Sequence, residues 1–154
     1  MPWPGSDVPA FTARRDAARI VRIGGEMGDR VLFERGMKIR KTLWPDREGG
    51  IAVFRALDPA YADTIVEQAY GAVYGDPTLD LRTRSLLTCA VLTALGRSRG
   101  LESHLRGALN LGIPPAELIA MLKQVALYAG YPVVNDAFGT LKRLIDEGPA
   151  AAAP

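Results

Sequence analysis

The 154-residue chain reads as a single all-α domain, a bundle of about six or seven helices. Three observations predict this. Apolar residues recur at helical spacing, Asp, Pro and Gly punctuate the chain where helices begin and end, and no convincing alternating strand pattern appears. The length suits one domain with tails. A domain of this size buries roughly two-thirds of its unfolded surface and needs no disulfide or structural metal to hold it.

Each element follows in order. Residues 12–22 (TARRDAARIVR) form a basic amphipathic segment closed by Gly24-Gly25. Asp29 caps a helix over 30–43, which stops before Pro45 because a residue preceding proline avoids the helical region. The stretch 44–56, with Pro45 and Gly49-Gly50, reads as a loop. Asp58-Pro59 is a helix start, an N-cap followed by proline in the first turn. Beyond it, Tyr61, Ile65, Ala69 and Val73 recur at spacing four and mark a buried stripe. After the turn YGDPTLD, Asp80 caps a helix over 81–95 that ends at Gly96. Further helices run from about 100 to 111, stopping at Gly112, from Pro114-Pro115 to Gly130, and from about 133 to 147, ending at Gly148. The organisation is an N-terminal extension over 1–29, a helical domain over 30–148 and a low-complexity tail over 149–154 (PAAAAP preceded by Gly148).

Composition narrows the chemistry. With one Cys the chain has no internal disulfide and no CxxC redox pair, and one Cys with one His argues against a zinc site. A formal charge of +2 argues for neither nucleic acid nor an anionic membrane as partner. MPWPGSDVP lacks the apolar core of a signal peptide, and no run approaches the ~18 apolar residues of a membrane span. The expectation is a soluble cytoplasmic protein whose chemistry uses few titratable groups, or groups supplied by a second subunit.

His104 is the first candidate. Leu101, His104, Leu105, Ala108 and Leu109 fall on one helical face, so the imidazole projects among leucines. It is either a packed histidine bonded to a backbone carbonyl or a proton donor and acceptor lining an apolar pocket. The arginines are second. Arg82 and Arg84 occupy the first turn of a helix, where a cation opposes the macrodipole, so an anionic partner is expected nearby. That partner is a substrate carboxylate or an acidic residue such as Asp80 or Glu102. Cys89 reads as a small core residue. Tyr128 and Tyr131, at YAGYP, offer hydroxyls to a pocket or simply pack. GGEMG lacks the spacing of a phosphate loop.

Four separated blocks, RGMKIR (35–40), LRTRSLLTCAVLTALGR (81–97), HLRGALNLGIPPAEL (104–118) and ALYAGYPVVNDAF (126–138), resemble the carboxymuconolactone decarboxylase family. The resemblance covers roughly residues 30–147. It implies an all-α, alkyl hydroperoxidase D-like fold, a homo-oligomer (trimer or hexamer) with pockets near subunit contacts, and decarboxylation of a small cyclic carboxylic acid or carboxylactone without cofactor or metal. In the superfamily's peroxidase branch a CxxC precedes the histidine; here those positions are Arg97 and Gly100, and the branch's relay Glu falls at Ser85, so thiol peroxidase chemistry is not expected. The decarboxylase branch tends to carry Glu where Gly100 stands, one helical turn before His104. It also often has Arg where Asp76 stands. By the resemblance His104 is the catalytic acid, Arg40 or Arg84 orients the carboxylate, and Ser85 and Tyr131 are further polar contacts. The departures at Gly100 and Asp76 keep two other readings open: an isomerisation, cyclisation or dehydration of a less charged ring, and a non-catalytic helical oligomer.

Overall fold

A computed structural model describes residues 29–45 and 50–148. The basic segment 12–22, the GGEMG stretch and the tail 149–154 lie outside the described residues. Among the described residues the chain is helical, with no strand: α1 Arg30–Leu43, α2 Ile51–Leu57, α3 Pro59–Ile65 continuing directly into a π-helical segment Val66–Tyr74, α4 Leu81–Ala94, α5 Ser98–Asn110, α6 Pro115–Ala129 and α7 Tyr131–Glu147. No helix among them is long and apolar enough to cross a membrane.

The expected caps are in place. The Asp29 carboxylate accepts from the Val31 and Leu32 amides, that of Asp58 from Tyr61, and that of Asp80 from Thr83. Each satisfies amides that the first helical turn leaves without partners. Gly112 and Gly148 end α5 and α7 at φ 76° and 72°, where a side chain would be strained.

Two expectations are corrected. The loop expected over 44–56 gives way at residue 51 to α2. Gly50 is the residue before the helix rather than a break within it, and the short helix IAVFRAL is held by burial of Ile51 and an Arg55–Asp63 ion pair at 2.8 Å. The stripe assigned to Tyr61, Ile65, Ala69 and Val73 is displaced by one residue. Tyr61 and Val73 are more than half exposed, while Ala62, Val66 and Tyr70 are buried. The π-helical turn explains the regular spacing of four, because i→i+5 hydrogen bonding places more than four residues in each wider turn and keeps residues four apart nearly in line.

The main core lies among α4–α7, where Cys89, Leu101, Leu105, Leu118, Leu122, Leu141 and Leu144 pack together. Each such leucine contributes about 1.5–3 kcal/mol through burial. α1 lies along the π-helical segment at backbone contact distance. A Cβ built on Gly36 would stand 2.3 Å from the Val66 carbonyl oxygen, and one on Gly71 would stand 2.1 Å from that of Leu32. Glycine at both positions lets the helices approach this closely. The C-terminal end of α1 then reaches α5. The Asn110 amide donates to the Leu43 carbonyl at 2.7 Å, and the Trp44 indole N–H donates to the Ser103 carbonyl at 3.0 Å. These two bonds fix α1, which carries Arg40, against α5, which carries His104.

Candidate functional site

Between α1, α2, the π-helical segment and α5 lies a cleft of about 430 Å³. Its polar residues are Arg40, Ser103, His104 and Arg99. Its other walls come from Trp44, Ile51, Val53, Phe54, Ile65 and Tyr70. Gly50 and Gly100 complete the lining.

Trp44 organises the polar end. Its ring meets His104 edge-on with centroids 5.4 Å apart, and meets Tyr70 the same way at 5.8 Å. The Arg40 guanidinium carbon lies 5.2 Å from the Trp44 ring centroid and 4.9 Å from that of Tyr70. Two aromatic faces therefore hold a cation that is only 7% exposed. Such contacts strengthen when water is excluded. Behind Tyr70, the Tyr74 hydroxyl hydrogen-bonds with that of Thr88, and burial pushes the Tyr74 pKa up to about 12.

Burial and the nearby Arg40 charge lower the His104 pKa from the ordinary 6.5 to about 4, so the imidazole is neutral at pH 7. His104 lies on the wall of this apolar-sided cleft. The depressed value has a stability consequence. The folded state takes up the proton only near pH 4, whereas the unfolded chain takes it up near 6.5, so unfolding gains a proton as pH falls through this window. The stability associated with neutral His104 is intact above 6.5 and is lost progressively down to about 4. The full shift corresponds to about 3 kcal/mol. Urea unfolding of wild type and His104→Gln between pH 7.5 and 4 should show the wild type losing about that much relative to the variant. Parallel curves would exclude a buried neutral imidazole.

The other expected contacts lie elsewhere in the chain. Arg84 is folded back on the 76–80 turn, donating to the Leu79 carbonyl at 3.1 Å and the Asp76 carbonyl at 2.9 Å, with the Asp76 carboxylate at 3.4 Å. Arg82 pairs with Glu117. The acidic partners of these first-turn arginines are thus Asp76 and Glu117, not Asp80 or Glu102. Glu102 pairs instead with Arg143 of α7 at 2.9 Å. Ser85 is buried with its hydroxyl lacking a hydrogen-bond partner. Tyr131 opens α7 and is 70% exposed. None of Arg84, Ser85 and Tyr131 lines the cleft, whereas Arg40 and His104 share it. Cys89 is a fully buried core residue, its thiol raised to about 12 by desolvation.

Sequence reasoning passed over Arg99 and the α2 wall. Arg99 lies five residues before His104, and its exposed side chain brings a second cation to the cleft. Its signal is its place beside Gly100, about one and a half turns before the histidine on the same helix. Val53 and Phe54 were hidden by reading their segment as loop.

The model of the carboxymuconolactone decarboxylase family matches residues 59–143. The chain is 34% identical over 113 residues to 4-carboxymuconolactone decarboxylase of Acinetobacter baylyi, covering 72% of this chain and 84% of that protein. It is also 34% identical over 131 residues to nitrosuccinic acid decarboxylase of Metarhizium robertsii, covering 77% and 87%.

Proposed function

Because this chain belongs to the carboxymuconolactone decarboxylase family and is a decarboxylase-like enzyme, we propose that it releases carbon dioxide from a small carboxylic acid, without a cofactor, in the cleft between α1 and α5. The observation that carries the reading is the pairing of Arg40 and His104 across Trp44 in one largely apolar cleft. The Arg40 guanidinium orients the substrate carboxylate. As the carbon–carboxylate bond breaks, its electron pair passes into an electron-withdrawing group of the substrate itself, a lactone or carbonyl for a carboxylactone and a nitro group for a nitro acid. Carbon dioxide leaves, and His104 delivers a proton to the carbanion carbon and recovers one from water. The apolar walls favour loss of charge from the carboxylate.

Burial first and the Arg40 charge second keep His104 neutral in the free protein at pH 7, and a bound carboxylate reverses part of that depression. An anion beside Arg40 offsets the charge that depresses the imidazole and raises its proton affinity. The inflection of kcat with pH should therefore lie above that of kcat/KM, which reports the free protein. Carbon dioxide release should be measured with 4-carboxymuconolactone and nitrosuccinic acid, the acids named for the two relatives. His104→Ala should lower the rate ~10²-fold or more. Folded wild type that releases no gas from either acid would overturn the reading for these substrates and favour the alternative that the apolar walls support, an isomerisation, cyclisation or dehydration of a less charged ring.

We also propose a homo-oligomer. Leu57, Leu127 and Tyr128 are 82%, 70% and 85% exposed in the single chain, a large apolar display for a monomer. Analytical ultracentrifugation showing a monomer at micromolar concentration would overturn it.

A further inference from the structure

The cleft is shaped for an acid with a sizeable apolar body. Arg40 is held at its polar end by Trp44 and Tyr70. Away from that end the wall is Ile51, Val53, Phe54 and Ile65, and among these only Ile51 is buried. Val53 is 61% exposed and Phe54 41% exposed, so this face is open to a ligand. A volume of about 430 Å³ lies in the range of pockets that take drug-sized ligands, about 300–1,000 Å³. A compact four-carbon diacid leaves most of such a space filled with water against apolar side chains.

Gly100 points the same way. It is within α5, where glycine costs helix stability relative to alanine. Unlike Gly36 and Gly71, it faces no backbone: an added Cβ would meet only the Leu92 side chain, at 3.2 Å. The close packing of two backbones therefore does not require glycine here, and its bare surface lines the cleft one turn before His104.

We propose that the small acid carries, besides its electron-withdrawing group, an apolar alkyl or aryl group of up to about eight carbons, seated with the carboxylate at Arg40 and the apolar group along Ile51, Val53, Phe54 and Ile65, and that Gly100 admits this bulk. The inference rests on the cleft being the acid-binding site proposed above, and it deepens that reading by naming the apolar part of the substrate.

Unreactive probes test it apart from catalysis. Straight-chain carboxylates from propanoate to octanoate, with 3-phenylpropanoate and succinate, are titrated into the full chain by calorimetry and, in a Trp3→Phe background, by quenching of Trp44 fluorescence. Affinity should rise about three- to fourfold for each buried methylene. 3-Phenylpropanoate should bind at least tenfold more tightly than succinate. Gly100→Leu should flatten the chain-length series while propanoate still binds. Affinity that is flat or falls with chain length, preferential binding of succinate, or burial of Val53 and Phe54 against a second copy of the chain would each overturn the inference. Carbon dioxide release from small diacids alongside a flat series would leave the decarboxylation standing and sink the apolar substrate. A rising series without gas release would do the reverse.

Discussion

Arg40→Met should lower kcat/KM for decarboxylation by about 10³-fold, the scale on which a preorganised charge at a reacting group acts. Methionine retains much of the buried stem and removes the charge together with the guanidinium's hydrogen bond to the Tyr70 hydroxyl. A second readout separates an electrostatic role from damage to the fold. Arg40 is one of two causes that lower the His104 pKa, desolvation being the larger. Without the guanidinium the imidazole should titrate above 4 but still below 6.5, because its burial remains. NMR titration of the sole histidine reads this directly. Arg40→Lys keeps a charge but not the planar fork that matches a carboxylate, and should fall between wild type and Arg40→Met. If Arg40→Met turned over normally, the carboxylate would have to be held elsewhere, with Arg99 the other cation lining the cleft.

The His104 shift also explains why the lone histidine was conspicuous in the sequence while its state was not. Periodicity placed it on the leucine face of α5, and Leu101, Leu105 and Ala108 are indeed buried there. Its ionisation depends first on burial and then on Arg40, 64 positions earlier in the chain. That approach is set by the glycine contacts of α1 and by two bonds from Asn110 and Trp44, none of which leaves a periodic signal. Caps were legible because they are local: Asp29, Asp58 and Asp80 each bond amides within three residues. Arg84 shows the limit of local reasoning. Its unfavourable place in the first turn of α4 correctly signalled an acidic neighbour, but the distance of eight residues to Asp76 hid which one. The same contact changes the meaning of Asp76. This aspartate is committed to its own turn, accepting from the Thr78 amide at 2.8 Å and facing Arg84.

Gly71→Ala should unfold or nearly unfold the domain, with a loss of about 4 kcal/mol or more in chemical denaturation. The new methyl would stand 2.1 Å from the Leu32 oxygen and 2.7 Å from its carbonyl carbon. These are backbone atoms of α1, which no rotamer change can move, so the cost exceeds ordinary overpacking of about 1–3 kcal/mol. Gly139→Ala is the matched control. Gly139 lies within α7 with nothing inside 4 Å of an added Cβ, so the substitution should stabilise by about 0.4–1 kcal/mol through a less flexible unfolded chain. Equal effects at the two sites would show that α1 does not rest on the π-helical segment as described. The contrast also bears on catalysis. Relief of the Gly71 clash requires α1 to move outward, and α1 carries Arg40 while Trp44 follows at its end. Any folded fraction of Gly71→Ala should therefore bind carboxylates more weakly than wild type, although the substituted residue does not line the cleft. The glycine pair that permits this packing is thus also what brings a cation in α1 within electrostatic reach of a histidine in α5.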